Sequence, residues 1–161
     1  MYAIGIDPGL TGAIALVGLD GTCEVHDMPV KLKSKTTQAR VKNVLDGHAL
    51  AELVANLAES YELVGVYVEN VATRPGQGVA SNGSLMHSLG VIEGVLCGLG
   101  IDYHLVRPQE WKEAWGLVNQ EKGFAVSVAL EHFQHAPLTK KKHHGRADAI
   151  LIGLRPLKFN V

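Results

Sequence analysis

Several features are scarce in this 161-residue sequence. It has only two cysteines, Cys23 and Cys97, and no CxxC pair, so we predict neither a zinc site of that type nor a disulfide framework. No apolar run approaches the roughly 20 residues that a membrane span needs. No basic segment precedes the first apolar stretch, so no secretory leader is predicted. We therefore expect a cytoplasmic protein with no membrane contact.

An excess of positive charge is also lacking. The formal net charge is −1, which by itself disfavours a nucleic-acid ligand, because phosphate binding needs a positive field. However, basic residues are concentrated in the stretches 31–42 and 140–146. Either stretch alone is typical of a solvated loop, but together they flank the acidic residues described below and favour DNA binding. The candidate DNA contacts in them are Lys31, Lys33, Lys35, Lys140, Lys141, Lys142 and Arg146.

A length of 161 residues and an apolar content of 47% predict a single domain over residues 1–161. Apolar segments bounded by Gly, Pro or Asp predict strands at 2–6, 12–18, 23–27, 63–68 and 102–106. Helical spacing of apolar residues predicts helices at 48–60, 84–99, 121–133 and 145–154, and a short one after Arg107-Pro108. This order of elements indicates an α/β fold, a mixed sheet with helices on both faces.

Glycine marks two further segments. Residues 73–83 are rich in Gly, Pro, Ser and Asn and lack any period, so we predict a flexible loop there. In the helix that follows, Gly90, Gly94 and Gly98 are spaced four apart. Such a row allows another element to approach closely. That element is either the sheet of the same chain or a helix of a second copy, and the sequence leaves both open.

Acidic residues stand at the ends of two predicted strands. Asp7 ends the first strand, and Glu69 follows the strand at 63–68. Ligands of open α/β sheets bind at the carboxyl ends of the strands, so we expect these carboxylates to converge. Two close carboxylates raise each other's pKa unless a cation such as Mg²⁺ neutralises them. His144 and Asp148, about one helical turn apart, are the further candidate ligands.

Each of these residues alone has an ordinary structural interpretation. Asp7-Pro8-Gly9 forms a turn, Glu69 is a surface acid at a strand end, and Asp148 is a helix N-terminal acid favoured by the dipole. The joint pattern favours a metal site, because a charge buried without a partner costs several kcal/mol.

These motifs together resemble one known family, the RuvC-type Holliday junction resolvases. Residues 4–9 (Ile-Gly-Ile-Asp-Pro-Gly) resemble its opening strand, Val68-Glu69-Asn70 its second catalytic strand, and residues 145–149 the helix that carries its last catalytic aspartate. Residues 106–108 with Trp111-Lys112 are similar to phage-type members. The resemblance covers nearly the whole chain. It implies an RNase H-like five-stranded sheet in the order 3-2-1-4-5, with strand 2 antiparallel.

The sequence departs from the family pattern at one acid. The family has four, two of them close together on the last helix, whereas the position three before Asp148 is Gly145. The resemblance carries the fourth role to His144, with His143 as the alternative. Imidazole suits Mn²⁺ better than Mg²⁺. The implied cofactor is therefore two ions of Mg²⁺ or Mn²⁺.

The activity implied by the resemblance is that of a metal-dependent endodeoxyribonuclease. It would resolve four-way junctions in branched DNA by paired symmetric nicks, as a homodimer, in a bacterial or phage-infected cell. The implied catalytic and metal-binding residues are Asp7, Glu69, His144 and Asp148, and the implied DNA contacts in the loop are Arg74, Gln77 and Asn82.

Two alternatives stay open. The missing fourth acid favours a non-catalytic or broader-specificity RNase H-like protein that binds or cuts branched DNA. The Asp and Gly after the first strand also occur in sugar kinases and actin-like ATPases. The shortness of the chain and the lack of a second phosphate-binding glycine motif disfavour that relationship.

Overall fold

The structure is a computed structural model that describes residues 1–33, 43–72, 76, 78–121, 123–139 and 143–159. Its elements follow in the order β1 (Tyr2–Asp7), β2 (Ala13–Gly18), β3 (Cys23–Asp27), β4 (Val30–Leu32), β5 (Asn43–Leu45), α1 (Gly47–Ser60), β6 (Leu63–Glu69), α2 (Val79–Gly98), β7 (Tyr103–Val106), α3 (Pro108–Ala114), α4 (Phe124–His132) and α5 (His144–Phe159). Among the described residues, no helix is long and apolar enough to cross a membrane.

The main sheet has the strand order β3-β2-β1-β6-β7. β1 pairs antiparallel with β2 and parallel with β6, and β6 pairs parallel with β7. The predicted order and the antiparallel second strand are therefore confirmed. Ile6 lies opposite Val68 in the parallel pair. The next residues, Asp7 and Glu69, are the last of β1 and β6, so both strands end with an acid at the same edge of the sheet.

The two faces of the sheet carry different side chains. Alternation along β1 directs Ile4 and Ile6 into the core formed with α1 and α2, and Ala3 into the core formed with α5. Ile4 and Ile6 are fully buried, and burial of each stabilises the fold by about 1.5–3 kcal/mol. Helices on both faces were predicted, and the two cores confirm them.

The α5 face of β1 is a contact between backbones. A Cβ atom on Gly5 would lie 2.1 Å from the carbonyl oxygen of Ala149 and 2.4 Å from the backbone nitrogen of Gly153. Both distances are far below van der Waals contact, so only glycine fits at position 5. This close crossing holds α5 directly on the central strand, with its first turn beside the end of β1.

The predicted start of the helix after the glycine-rich segment was wrong. α2 begins at Val79 rather than at residue 84. The backbone N–H groups of Ser81 and Asn82 donate to the carbonyl of Gly78 and form its first turn. The sequence concealed this turn because Val79, Ala80, Ser81 and Gly83 are exposed and so show no apolar period. Residues 73–75 and 77 lie outside the described residues.

Two other boundaries also differ from the prediction. α5 extends past residue 154 to Phe159 and contains Pro156. Pro156 and Leu157 are buried, and their packing favours continuation of the helix despite the missing N–H donor. The first basic stretch, predicted as a polar loop, instead begins within β4, which pairs antiparallel with β5. The alternation Val30-Lys31-Leu32 was its unrecognised strand pattern.

Candidate active site

A cleft opens at the edge of the sheet where β1 and β6 end. Its larger part, about 580 Å³, is lined by Asp7, His144 and Asp148 among others. An adjoining part of about 390 Å³ is lined by Asp7, Glu69 and Asp148. The structure therefore brings all four sequence-predicted residues to one cleft, on three different elements.

Asp7 is the electrostatic centre of this cleft. Its pKa is raised to about 6, mainly because burial disfavours the charged carboxylate and secondly because Glu69 repels it. The backbone N–H of Gly9 donates to Oδ1 of Asp7 at 3.2 Å, and the charge of Lys112 also acts to lower the pKa. These two interactions only partly offset the effects of burial and of Glu69 on the Asp7 carboxylate. A cation bound beside the two carboxylates would therefore stabilise their charged forms.

Glu69 is held from the side by α3. The indole N–H of Trp111 donates to Oε1 of Glu69 at 3.1 Å, and Trp111 is completely buried. The start of α3 is itself fixed, because the Glu110 carboxylate accepts from the backbone N–H of Arg107 at 3.0 Å and from its guanidinium at 2.7 Å.

Lys112 is a cleft residue to which the sequence analysis assigned no role. It lines both parts of the cleft, and its Nζ lies 5.2 Å from the centroid of the Trp111 ring. Helix α3 directly follows β7, which ends at the same sheet edge as β6. Because α3 starts at the edge of the sheet where the acids lie, the sequence could have indicated that a lysine on α3 faces the carboxylates.

The first turn of α5 explains the missing fourth acid. A Cβ atom on Gly145 would lie 2.6 Å from the carbonyl oxygen of Thr11 and 2.9 Å from Oδ2 of Asp7. No side chain fits there without displacing the backbone at Thr11 and Gly12 and the Asp7 carboxylate. His144, the preceding residue, lines the cleft, and its Nδ1 is buried with no hydrogen-bond partner in the described part of the chain. His143 is not one of the residues that line the cleft.

Arg146, a predicted DNA contact, is engaged within the chain. Its guanidinium binds both carboxylate oxygens of Asp27 at 2.6 and 2.7 Å and donates to the carbonyl of Pro137 at 2.9 Å. These bonds tie the first turn of α5 to the end of β3. In this structure Arg146 therefore supports the helix that carries His144 and Asp148.

The other predicted DNA contacts are dispersed. Lys31, on β4, lies 3.3 Å from Asp46, Lys33 is exposed just beyond that strand, and Asn82 is half-buried in the first turns of α2. None of these three lines the cleft. The remaining contacts lie outside the described residues, namely Lys35, Arg74, Gln77, Lys140, Lys141 and Lys142.

The donor atoms of the cleft are suited to a divalent ion. Asp7 and Glu69 supply oxygen ligands whose mutual repulsion a cation would relieve, and His144 supplies a nitrogen that has no hydrogen-bond partner among the described residues. Within the described ranges, no three His, Cys, Asp or Glu side chains are arranged so as to hold a metal ion. The chemistry of the donors thus fits, while the assignment of individual ligands stays a prediction.

Known proteins offer two kinds of similarity, although no protein-family model matches the chain. The chloroplastic Holliday junction resolvase MOC1 of Chlamydomonas reinhardtii is 35% identical over 89 residues, which are 53% of this chain and 10% of that protein. The chain thus spans about a tenth of the length of the curated relative it matches.

Two solved structures match over almost the whole chain. Thermus thermophilus RuvC in complex with a Holliday junction substrate has a TM-score of 0.66 at 16% identity, covering 99% of this chain and 94% of that one. A second Thermus thermophilus RuvC structure has a TM-score of 0.65 at 18% identity, covering 99% and 95%. The chain therefore has the RNase H-like fold of RuvC.

Proposed function

We propose that residues 1–161 form one nuclease domain that resolves Holliday junctions in branched DNA by divalent-metal-dependent phosphodiester hydrolysis. The observation that carries the proposal is the cleft that Asp7, Glu69, His144 and Asp148 share at the edge of the sheet. The RuvC fold and the partial similarity to a protein named as a Holliday junction resolvase support it.

The cleft residues have different proposed roles in hydrolysis. Asp7, Glu69, His144 and Asp148 would hold two divalent ions, which when bound activate water and polarise the phosphate. Water attacks phosphorus, the bond to the 3′-oxygen breaks, and that oxygen leaves with a proton. Lys112, which lines both parts of the cleft, contacts a phosphate oxygen and stabilises the charge that develops on it.

The ligand types bear on the choice between Mg²⁺ and Mn²⁺. Carboxylates suit both Mg²⁺ and Mn²⁺, whereas an imidazole ligand shifts the preference toward Mn²⁺. Nδ1 of His144, which has no hydrogen-bond partner in the part of the chain that the structure describes, favours use of this imidazole. We therefore propose that both ions support cleavage and that His144→Asp shifts the preference toward Mg²⁺.

A two-fold symmetric substrate calls for two active sites. We propose a homodimer formed through α2, whose Gly90, Gly94 and Gly98 are exposed. A Cβ atom on any of them meets nothing within 4 Å in the described structure. The row therefore does not pack against the sheet of its own chain, which was the other interpretation of the sequence. A second copy of α2 could approach this face closely.

The DNA is proposed to extend from the cleft over the basic segments. Lys31 and Lys33 are exposed at the β4–β5 ribbon, and Lys35 follows in the sequence. Near the other end of the chain, Lys140, Lys141 and Lys142 immediately precede His143 and His144, of which His144 lines the cleft. Phosphate contacts of this kind position DNA without reading its sequence. The roles of Arg74, Gln77 and Asn82 in the junction centre stay predictions.

Cleavage of a labelled synthetic four-way junction, compared with a linear duplex of the same sequence, tests the proposed function. We expect paired symmetric nicks in Mg²⁺ or Mn²⁺ for the wild type, and at least about a 100-fold lower rate for Asp7→Asn, because a catalytic electrostatic contact is typically worth that much. Asp102→Asn makes the same chemical change at an exposed residue before β7 and should leave the rate unchanged.

Two other results would replace the proposal. Equal cleavage of junction and duplex would indicate a broader-specificity nuclease. Tight junction binding without cleavage in either metal would indicate a non-catalytic junction binder, which the glycine at position 145 in place of an acid favours.

A further inference from the structure

A buried indole contacts one of the carboxylates of the cleft. Trp111 has no exposed surface, and its Nε1–H donates to Oε1 of Glu69 at 3.1 Å. A buried N–H group requires an acceptor, and here the acceptor is a side chain of the proposed active site. No motif in the sequence analysis predicted this contact, because residues 69 and 111 are far apart along the chain.

The contact restricts a side chain that would otherwise rotate. β6 fixes the backbone of Glu69, but the carboxylate carbon lies three bonds from Cα. The side chain therefore has several rotamers available to it. Trp111 is rigid by comparison, because complete burial locks its ring and the capping bonds between Arg107 and Glu110 fix the start of α3. Its indole occupies one oxygen of Glu69 in a defined direction.

A second tryptophan provides a comparison within the same molecule. Trp115, the C-cap residue of α3, donates its indole N–H to the backbone carbonyl of Leu151 at 2.9 Å. Both tryptophans thus make one indole hydrogen bond, and both pack in the core between α3 and α5. Only the bond of Trp111 ends on a carboxylate that lines the cleft.

We infer that Trp111 is a positioning residue, which orients the Glu69 carboxylate for divalent-ion binding and thereby for phosphodiester cleavage. The part of the inference that concerns phosphodiester cleavage rests on the proposed function, whereas the part that concerns ion binding does not. Trp111 itself touches neither DNA nor the reacting atoms. Its removal should weaken ion binding and lower kcat, while junction affinity, which depends on the basic segments, changes little.

The first experiment observes the hydrogen bond without any cleavage. Protein labelled with ¹⁵N-tryptophan gives two indole N–H resonances by NMR, assigned with Trp111→Phe and Trp115→Phe. Addition of Mg²⁺ alone should shift the Trp111 resonance saturably and leave that of Trp115 in place. Glu69→Gln should shift the metal-free Trp111 resonance and abolish its response to Mg²⁺. A Trp111 resonance that ignores both changes would overturn the inference.

The second experiment separates positioning from stability. Isothermal titration of Mg²⁺ is compared for the wild type, Trp111→Phe and Trp115→Phe, and for protein carrying 3-benzothienylalanine at position 111, an isostere of tryptophan without the N–H. We expect the Mg²⁺ dissociation constant to rise about tenfold for both changes at 111 and less than twofold for Trp115→Phe. Because the isostere preserves ring volume, it distinguishes loss of the bond from loss of packing.

Cleavage kinetics then connect the contact to the reaction. We expect kcat to fall about tenfold for both changes at 111, with KM for the junction within twofold of the wild type. Unchanged Mg²⁺ affinity in the isostere protein would overturn the inference even if the wild type cuts junctions. Conversely, a wild type that cuts nothing but shows the expected loss of Mg²⁺ affinity would overturn the proposed function and leave the positioning of Glu69 supported.

Discussion

At the scale of single residues, the cleft combines groups that are unfavourable by themselves. Asp7 is partly buried next to another carboxylate, and His144 has a buried nitrogen without a described partner. Such groups reduce stability unless a ligand compensates for them. Their concentration on one cleft is typical of a functional site, where groups that the reaction needs lower the stability of the fold. The cost is measurable as a pH dependence.

For metal-free protein, the raised pKa of Asp7 determines the sign of this dependence. The folded-state pKa is about 6 against an ordinary value of 3.8, so between those pH values the folded state binds more protons than the unfolded state. The contribution of Asp7 to the free energy of unfolding therefore falls as pH rises through this window and stays low above pH 6. Asp7→Asn should remove this loss and stabilise the metal-free protein at pH 7 by about 3 kcal/mol.

Urea denaturation in EDTA from pH 4 to 8 measures the effect. The difference between Asp7→Asn and the wild type should grow between pH 4 and 6 and then level off. Asp102→Asn is the control, and a flat difference for Asp7→Asn would show that its carboxyl group titrates normally. Mg²⁺ should stabilise the wild type more than Asp7→Asn, because only a carboxylate attracts the ion strongly.

At the scale of elements, α5 positions half of the cleft. It crosses β1 at Gly5 and Gly153, and the Arg146–Asp27 pair holds its first turn against β3. A shift of α5 by even the width of a methyl group would move His144 and Asp148 relative to Asp7. The close glycine contact therefore serves both the packing of the core and the geometry of the cleft.

Replacement of Gly5 tests this crossing. Because its Cβ would overlap the backbone of α5, Gly5→Ala should lower the free energy of unfolding by at least about 3 kcal/mol, at the upper end of overpacking costs. Gly83→Ala, on the exposed face of α2 with nothing within 4 Å of the new Cβ, should be neutral or stabilising by up to about 1 kcal/mol. Thermal and urea denaturation of both variants measure the contrast, and a mild effect at position 5 would contradict the backbone contact.

At the scale of the whole molecule, the carboxylate cleft and the glycine row belong to different parts of the fold. Asp7 and Glu69 end central strands, whereas Gly90 and Gly94 lie on a helix face open to solvent in the described structure. Neither glycine lines the cleft, whereas Leu85, nearer the start of α2, lines its smaller part, so a dimer that leaves both clefts accessible to DNA has to form through the later turns of α2. That arrangement is what two cuts in one junction require.

Substitution on this helix face tests the proposed dimer. In sedimentation velocity, the wild type should have the mass of two chains. Gly94→Glu should raise the dimer dissociation constant at least about tenfold, because it places two like charges and two side chains where the helices approach. Gly123→Glu, also with nothing within 4 Å of its Cβ, is the matched control. A wild type that is monomeric both with and without junction DNA would exclude the dimer.

Sequence alone determined the parts of this protein that depend on local order. The apolar strands and the acids at their ends were correctly predicted at Asp7 and Glu69, because an apolar run and the turn residues that bound it are local features of a few neighbouring positions. The start of α2 and the β4–β5 ribbon were not, because exposed first turns carry no apolar period and a pair of three-residue strands carries little pattern.

Only the tertiary structure decided which distant groups meet. The bond from Trp111 to Glu69, the approach of Lys112 to Asp7 and the exclusion of a side chain at Gly145 all arise where α3 and α5 pack against the ends of β1 and β6. Such contacts depend on the distance and angle between elements, which the packing of the whole core sets. A pattern along the chain specifies which face of a helix is buried, but not which residue of another element that face will touch.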